Sequence, residues 1–513
     1  NKYKVRIRKL DPYLNIDPGT MSPSQHGEVF VTDDGAETDM DLGHYERFTG
    51  VISKKSDNIT SGKVYSEVLK KERQGKYLGS TVQVIPHVTD EIKSFIRADL
   101  KSEDFVICEI GGTVGDIESL PFLEAIRQLR NELGKEKTCF IHLTLIPYIR
   151  SSNEFKTKPT QHSVKELLSV GIQPDILMCR TSQKISNESK DKIALFCNIP
   201  KESVIMAIDV KSIYEVPQSL FDEKINDRIF DHFNIKKNNL KINLGIWKDF
   251  NCRLKKIRRS VEIAIVGKYT NLSESYKSLN EALFHSGVHN KINVNLHWID
   301  STILKNSVNC KKHLSDFHGI LVPGGFGKRG SEGKINAIKY AKINFVPFLG
   351  ICFGMQLSVI EALRSIKGYE KASSTEFGKS KIPVISLMSE WIIGSKVHKQ
   401  DKAHIGGSMR LGSYNSVLKK NSKKFKIYNS VKIKERHRHR YEVNIHYRNL
   451  LEENNIVFSG MSPDGKLAEV MERVDHPWFI GVQFHPELKS TPFKPHPIFN
   501  SFTDASLKKK NVK

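Results

Sequence analysis

The segment Phe348-Leu-Gly-Ile-Cys-Phe-Gly-Met-Gln356 indicates an α/β fold for the C-terminal half of this chain. A short apolar run leads into Cys352, and an apolar pattern of helical period follows it. Gly350 and Gly354 flank the cysteine, as a tight strand–turn–helix corner requires. Such a corner places the sulfur at a helix N-terminus, where the dipole favours a thiolate. The alternative is a buried structural cysteine beside two turn glycines.

Two further segments supply partners for a thiol nucleophile. Phe479-Ile-Gly-Val-Gln-Phe-His-Pro-Glu487 is typical of a strand that ends in His485 and Glu487. Such a histidine can act as general base to a thiol, and the carboxylate can orient its imidazole. Pro323-Gly-Gly-Phe-Gly327 is a glycine-rich turn whose backbone N–H groups can face a developing oxyanion. Together these features favour thiol catalysis over a plain tight turn and a strand-end histidine.

Apolar runs and helical patterns alternate along most of the chain, which predicts parallel sheets covered on both faces. Apolar residues recur at helical spacing behind Pro121, which suits a first helical turn. A polar, basic stretch at 234–260 predicts an exposed linker. The expected strands include the runs at 105–110, 140–146, 175–179, 203–208, 261–266, 292–299, 320–322 and 346–349. The expected domains are residues 1–236 and 260–507, joined by a linker at 237–259.

Composition narrows the function classes. The chain has 513 residues, which favours two or three domains. Lys and Arg outnumber Asp and Glu by 80 to 57, a net charge of +23. The excess of basic residues indicates either a protein that binds polyanions or lysines spread over the solvent-exposed surface. We favour the second interpretation, because the basic runs are scattered and lack interleaved aromatic residues. We expect neither a nucleic-acid partner nor a membrane, since the longest apolar run, 345–355, is too short to span one.

The seven cysteines are widely spaced and include no C-x-x-C pair. This pattern predicts a protein of a reducing compartment, the cytoplasm, and argues against a disulfide framework or a cysteine-rich zinc site.

The segments around Cys352, His485 and the 323–327 turn resemble the class I (triad) glutamine amidotransferase family. The resemblance implies that Cys352 attacks the side-chain amide of glutamine, that a thioester forms and ammonia leaves, and that His485 moves the protons beside Glu487. It also implies a set of glutamine-binding residues: Gly325, Phe326, Phe353, Gly354, Met355, Gln356, Glu376 and Arg440. A carboxylate for the ammonium of glutamine and an arginine for its carboxylate are chemically apt.

The N-terminal half resembles the synthetase domain of the CTP synthase family, and with the C-terminal motifs the resemblance covers essentially the whole chain. The blocks that carry it are residues 10–23, 25–39, 41–47, 109–119 and 156–163. The resemblance implies an α/β protein of two doubly wound parallel-sheet domains, a P-loop-NTPase-like synthetase domain and a class I glutaminase domain.

The implied reaction has three steps. ATP phosphorylates the 4-oxygen of UTP, ammonia travels inside the protein to that carbon, and phosphate leaves to give CTP. Asp41 and Glu109 are hard oxygen ligands that suit Mg²⁺. The residues implied to contact UTP, CTP or ATP are Lys9, Asp41, Asp116, Ile117, Glu118, Lys156, Thr157, Lys158, Pro159, Thr160, Gln161, Lys192 and Asp209. The family further implies GTP as an allosteric activator, CTP as a feedback inhibitor, and a homotetramer that can form filaments.

One departure from the family pattern is clear. A strand and a glycine-rich phosphate loop precede the Leu-Asp-Pro-Tyr block in the family, whereas here that block begins at Leu10 and no G-x-x-x-x-G-K-[ST] motif occurs. The nearest segment, Gly378-Lys-Ser380, has Ser373 where the first glycine is required. We expect that this sequence is an incomplete copy of a longer protein, truncated at its N-terminus. The alternative is a paralogue with a damaged synthetase.

Two other functions compete with this hypothesis. One is a non-catalytic assembly partner, similar to CTP synthase, that retains only glutaminase chemistry. The other is a sister amidotransferase, such as one that makes GMP or carbamoyl phosphate. The second is disfavoured because the chain has no Ser-Gly-Gly-x-Asp-Ser loop.

Overall fold

The structure, a computed structural model, describes residues 3–236, 242–268, 273–387, 390–393, 396–399, 409–420 and 422–512. The chain forms two compact units, and neither is continuous in sequence. The first unit contains Asn1–Asp17 and Ser56–Cys252, and the second contains Pro18–Lys55 and Arg253–Lys513. The predicted domains are continuous in sequence, so the prediction was wrong for residues 18–55, which belong to the second unit. Their side chains Phe30, Val31, Met40 and Leu42 pack in one buried cluster with Leu488.

The first unit contains two separate parallel sheets of three strands each. In spatial order, one sheet has the strands Asn58–Thr60, Val5–Asp11 and Phe105–Ile110, and the other has Val204–Ile208, Ile176–Thr181 and Ile141–Ile146. The β-branched runs predicted four of these strands to within a residue or two, namely those at 105–110, 141–146, 176–181 and 204–208. The strands Val5–Asp11 and Asn58–Thr60 were not predicted. Ile107 and Leu143 lie on edge strands and are 52% and 62% exposed. Each sheet therefore presents an apolar edge, which folded sheets usually cover.

Helices pack against these sheets. Those of the first unit span Ser61–Arg73, Thr89–Arg97, Leu120–Leu133, Lys158–Ser169, Asn187–Phe196, Val216–Asp222, Ile225–His232 and Gly245–Lys255. Helix Leu120–Leu133 has a proline in its first turn, as predicted, and buries Phe122, Leu123 and Leu129. Its apolar face thus covers a sheet as the spacing required.

The predicted linker is partly a packed helix. Residues 237–241 lie outside the described residues, but Gly245–Lys255 is helical. Trp247 and Phe250 are only 8% and 1% exposed. Their ring centroids lie 6.1 and 5.0 Å from that of Tyr214. The prediction of an exposed linker was wrong here, because two aromatic residues three positions apart outweigh a basic surrounding sequence.

The second unit is built on a mixed sheet of nine strands. In spatial order they are Ile292–Asp300, Arg259–Gly267, Gly319–Val322, Phe348–Ile351, Phe479–Val482, Ala468–Arg473, Ile456–Met461, Arg410–Leu418 and Lys432–His439. The first five strands are parallel, and the last four join in antiparallel pairs. The parallel part matches the predicted doubly wound sheet, and the antiparallel strands extend it at one edge.

The remaining elements of the second unit complete its core. Its helices span Pro23–His26, Asp41–Thr49, Lys277–Asn290, Ser307–Leu314, Ser331–Ile343, Phe353–Arg364, Lys423–Tyr428, Arg448–Glu453 and Pro497–Val512. A three-stranded sheet contains Ala372–Ser374, Ile382–Leu387 and Tyr441–Val443. Short hairpins pair Phe30–Val31 with Glu37–Thr38 and Glu390–Ile393 with Lys396–Lys399. In the first unit, Tyr148–Ile149 pairs with Glu154–Phe155.

Two chain-wide properties bear on function. Within the described ranges, no helix has the length and apolar content needed to cross a lipid bilayer. All seven cysteines are free thiols.

Candidate active site

Cys352 occupies a tight corner between strand Phe348–Ile351 and helix Phe353–Arg364. Its φ is 50° and its ψ is −103°, a strained conformation for a residue with a side chain. The glycines make the corner possible, because a Cβ on Gly354 would lie 2.1 Å from the carbonyl oxygen of Val322. The corner predicted from the sequence is present, and it presents the sulfur at the start of a helix.

His485 and Glu487 follow the neighbouring strand. Nδ1 of His485 lies 2.7 Å from Oε1 of Glu487. Burial lowers the pKa of His485, but the negative charges of Glu487 and Cys352 outweigh it and raise this pKa to about 10. The imidazole is therefore held as a cation beside the sulfur at neutral pH.

The glycine turn lies against the same two residues. A Cβ on Gly324 would be 2.8 Å from Cε1 of His485 and 3.7 Å from Cβ of Cys352. Nothing larger than glycine fits there without displacing the imidazole. The turn, the cysteine and the histidine thus meet at one point, with Gly325 and Phe326 next in the chain.

These residues line one cavity of about 310 Å³. The predicted residues in its wall are Cys352, His485, Glu487, Gly325 and Phe326. The other predicted glutamine-binding residues are not among the described residues that line the cavity. Phe353 and Met355 are buried in the core, and Gly354 packs against the strand Gly319–Val322.

Three of the predicted glutamine-binding residues make polar contacts nearby. Gln356 is 3% exposed, and its Nε2 donates to the carbonyl oxygen of Tyr441 at 2.8 Å. Glu376 accepts a hydrogen bond from the backbone N–H of Gly327 at 2.5 Å. Burial raises the pKa of Glu376, while that hydrogen bond and the positive charges of Lys268 and Arg440 oppose the increase. Glu376 and Arg440 are thus close enough to interact electrostatically.

Sequence reasoning missed two lysines of this cavity. Lys334, on helix Ser331–Ile343, is fully buried, and its Nζ lies 5.2 Å from the ring centroid of Phe353. Burial and the nearby charge of Lys268 lower the pKa of Lys334 to about 7. Lys268 donates from Nζ to the carbonyl oxygen of Phe326 at 2.5 Å. No local motif marks either lysine, since the sequence around each one looks like that of a solvent-exposed lysine.

Segment 18–55 also contributes to the wall of the cavity, through Gly19, Met21 and Glu28 among others. The backbone N–H of Ser278 donates to Glu28 at 2.6 Å. Burial nevertheless raises the pKa of Glu28 to about 7. The sequence could not place this segment here, because its neighbours lie more than two hundred residues away along the chain.

The candidate magnesium ligands belong to different units. Glu109 is the last residue but one of strand Phe105–Ile110 in the first unit, and Asp41 begins helix Asp41–Thr49 in the second. Oε1 of Glu109 lies 2.9 Å from Nζ of Lys9. A half-exposed carboxylate beside a lysine fits a metal–phosphate complex, in which the metal takes the carboxylate and the lysine the phosphate. The pairing of Asp41 with Glu109 stays a prediction.

The predicted nucleotide-binding residues around Lys156 lie at the start of a helix. Lys156 precedes helix Lys158–Ser169, which has Pro159 in its first turn. Thr160 is fully buried and donates to the carbonyl oxygen of Leu145 at 3.1 Å. Thr157 and Gln161 are also buried and bond to each other at 3.2 Å. Thr160 therefore ties the start of this helix to strand Ile141–Ile146.

The remaining nucleotide-binding candidates are more exposed. Asp116 precedes the turn Ile117–Ser119, which contains Glu118, and Ile117 is 79% exposed. Lys192 is exposed on helix Asn187–Phe196. Asp209 accepts from Nε of Arg180 at 3.1 Å. Nζ of Lys158 lies 5.6 Å from the ring centroid of Phe196.

A cysteine–histidine–glutamate site at the parallel part of an α/β sheet is the arrangement of triad amidotransferases. Residues 271–505 match the family model described as "Glutamine amidotransferase class-I". Residues 1–235 match the model described as "CTP synthase N-terminus".

Proteins named CTP synthase match nearly the whole chain. The protein from Pelagibacter ubique is 59% identical over 98% of this chain and 93% of its own length. That from Zymomonas mobilis is 58% identical over 99% and 94%. The solved glutaminase domain of Trypanosoma brucei CTPS with bound acivicin is 35% identical, with a TM-score of 0.44, over 48% of this chain and 94% of that chain.

The chain therefore belongs to the CTP synthase family. This confirms the predicted pairing of a synthetase domain with a class I glutaminase domain and the prediction of a glutamine-hydrolysing ligase. The comparisons lend no support to a non-catalytic assembly partner, because the relatives that match the full chain carry the name of the enzyme.

Proposed function

We propose that this chain aminates UTP to CTP with ATP and with nitrogen from glutamine. Membership of the CTP synthase family supports the overall reaction. The observation that carries the glutaminase half is the strained Cys352, which shares a cavity with the His485–Glu487 pair.

Glutamine hydrolysis follows from this geometry. The Cys352 thiolate attacks the side-chain amide carbon, and the glycine turn faces the oxygen that gains charge. His485 gives a proton to the departing ammonia, leaving a thioester. It then takes a proton from the water that releases glutamate, while Glu487 holds the ring in place. Glu376 and Arg440 have the charges needed to bind the ammonium and carboxylate of glutamine.

The synthetase half uses charged residues of the first unit. Lys9 and the positions from Lys156 to Gln161 would neutralise phosphate groups. When bound by Asp41 and Glu109, Mg²⁺ would neutralise the triphosphate charge. Phosphorylation of the uracil 4-oxygen makes it a leaving group, and ammonia then replaces it. The further nucleotide contacts proposed are Asp116, Ile117, Glu118, Lys192 and Asp209.

Regulation and assembly are proposed on the family resemblance. We expect activation by GTP, inhibition by CTP, and a homotetramer able to form filaments. The free thiols support a reducing compartment, the cytoplasm.

A single substitution tests the division of labour. Cys352→Ala should abolish glutamine hydrolysis and glutamine-driven CTP formation, because the variant has no nucleophile. CTP formation from ammonium should persist in a protein extended at its N-terminus by the strand and glycine-rich phosphate loop of the family. Both rates are measured with UTP, ATP and Mg²⁺ by separating CTP from UTP. Glutamine-driven synthesis by the variant would disprove the role of Cys352. An N-terminally extended wild-type protein that forms no CTP from either nitrogen source would disprove the proposed function.

A further inference from the structure

Gln483 lies beside the nucleophile but has no role in the scheme above. It is fully buried, in the segment between strand Phe479–Val482 and His485. Its Nε2 lies 3.7 Å from Sγ of Cys352, a normal distance for an N–H···S hydrogen bond. We infer that Gln483 is a positioning residue that donates a hydrogen bond to the Cys352 sulfur and stabilises it as the attacking thiolate. The inference deepens the proposed glutaminase function and rests on it.

The orientation of the Gln483 amide is fixed by its neighbours. An amide flip would turn the acceptor oxygen, instead of the donor nitrogen, towards the sulfur. Nε2 of Gln356 donates to the carbonyl oxygen of Tyr441 at 2.8 Å, and a carbonyl can only accept. The same nitrogen lies 3.3 Å from Oε1 of Gln483 and donates to it. The chain of bonds from Tyr441 therefore directs the NH₂ group of Gln483 at Cys352.

The hydrogen bond favours the ionised sulfur over the neutral one. The thiol also has an acceptor, the carbonyl oxygen of Arg438 at 3.9 Å from Sγ. Ionisation removes the S–H and with it that bond, whereas the bond from Gln483 becomes charge-assisted and stronger. The donor thus stabilises the thiolate more than the thiol, so it increases the fraction of the sulfur that is ionised and able to attack.

Other groups around the sulfur carry charge, and the test must separate them from Gln483. His485 faces it from the next strand, paired with Glu487. Lys334 acts on it from helix Ser331–Ile343. The guanidinium of Arg438 is paired with Glu37 at 2.7 Å. Gln483 is itself uncharged, so replacing it leaves all of these charges in place.

The experiment uses the full chain with Gln483→Met, which keeps the approximate length and removes the donor. The rate of alkylation by iodoacetamide is followed against pH, with Cys352→Ala subtracted to isolate this thiol. The pH of half-maximal rate should rise by about one unit. The kcat for glutamine hydrolysis should fall by about 10- to 100-fold, with KM changed less than about threefold.

Asn290→Met is the matched control. Nδ2 of Asn290 donates to the carbonyl oxygen of Asn500 and to Oγ1 of Thr503, both at 2.8 Å, in the same unit but outside the cavity wall. It should lose stability without moving the alkylation midpoint. Gln483→Glu is the second variant if Gln483→Met does not fold, and its carboxylate should raise the midpoint further by repulsion.

The outcomes are distinct. An unchanged midpoint in a folded Gln483 variant would overturn the inference, as would an equal shift in Asn290→Met. A wild-type chain that does not hydrolyse glutamine would overturn the proposed function, while a raised midpoint in Gln483→Met would still support the bond to sulfur.

Discussion

Lys424 is a cation that the fold of the second unit buries completely. Its Nζ lies 4.9 Å from the ring centroid of Tyr428 and 5.6 Å from that of Phe484, and it makes no hydrogen bond among the described residues. Burial lowers the pKa of Lys424 to about 7, although Glu435 and Glu472 oppose the decrease. The residue therefore gives up its proton on folding over a range of pH where an unfolded lysine keeps one.

We expect Lys424→Met to change the pH dependence of stability. Between about pH 7 and 10 the unfolded chain binds one more proton than the folded chain, so wild-type stability rises with pH because of this group. The variant should lack that gain. Its unfolding free energy, measured in urea at several pH values, should fall relative to wild type by up to about 1.4 kcal/mol per pH unit. Exposed Lys508→Met serves as the control, and a pH-independent difference for Lys424→Met would contradict the assignment.

Some residues of the candidate site could be predicted from their neighbours in sequence, and others depend on contacts with remote parts of the chain. Cys352 could be predicted because its adjacent glycines are required by the corner itself, as the close approach of Gly354 to Val322 demonstrates. Lys334 could not be predicted, because burial of a lysine depends on neighbours from other parts of the chain. The same holds for Glu28, whose partner Ser278 is remote in sequence.

At the scale of elements, strand Lys432–His439 connects the nucleophile, its base and segment 18–55. The carbonyl oxygen of Arg436 accepts from the backbone N–H of His485 at 2.8 Å. The Arg436 guanidinium pairs with Asp33 at 2.5 Å and Glu46 at 3.0 Å, and its side chain is 1% exposed. These ion pairs hold strand Lys432–His439 in place, and this strand accepts the backbone hydrogen bond of His485.

Removing one carboxylate from this buried cluster should disturb the site. In Glu46→Gln, Arg436 keeps Asp33 as its only carboxylate partner among the described residues, together with the carbonyl oxygen of Leu488. Removing one partner of a buried ion pair costs up to about 3–5 kcal/mol. We expect a lower unfolding temperature and a lower kcat for glutamine hydrolysis. Glu332→Gln is the control, because Glu332 is 66% exposed in its pair with Arg364 and a surface pair contributes about 0–1 kcal/mol. Equal losses in the two variants would show that burial of the Arg436 cluster has no special effect.

Elements with a regular pattern could be predicted from sequence, and irregular ones could not. The strand Ile176–Thr181 and the helix Leu120–Leu133 follow from β-branched runs and helical spacing. Helix Gly245–Lys255 was missed because only a few apolar side chains mark it. The antiparallel edge of the large sheet was also missed, since its outermost strand, Lys432–His439, has only one apolar residue, Ile433, and therefore no apolar run.

At the scale of the whole molecule, the sequence indicated two α/β parts but not which residues belong to each. A boundary near 237 follows from composition, yet residues 18–55 contribute to the second unit. No local pattern reveals this, because the contacts join residues about four hundred positions apart, as in the pair Arg436–Asp33.

Cleavage of the chain between the predicted domains tests whether residues 18–55 belong to the second unit. A protease site inserted at 237–241 would give a fragment that contains 18–55 and another that contains the large sheet. The N-terminal fragment supplies residues 18–55 to the second unit, and the C-terminal fragment supplies residues 242–252 to the first. The fragments should therefore elute together on native size-exclusion chromatography and separate in urea. Fragments that part without denaturant would contradict the division into units.

The Arg436 cluster also bears on how such a protein can be rearranged. A chimaera that joined the front of one homologue to the back of another near residue 237 would pair the acidic side chains of one lineage with the guanidinium groups of another. Substitutions in residues 18–55 and in strand Lys432–His439 must therefore be compatible with each other. An exchange of glutaminase domains between relatives should succeed only when residues 18–55 are exchanged together with the domain.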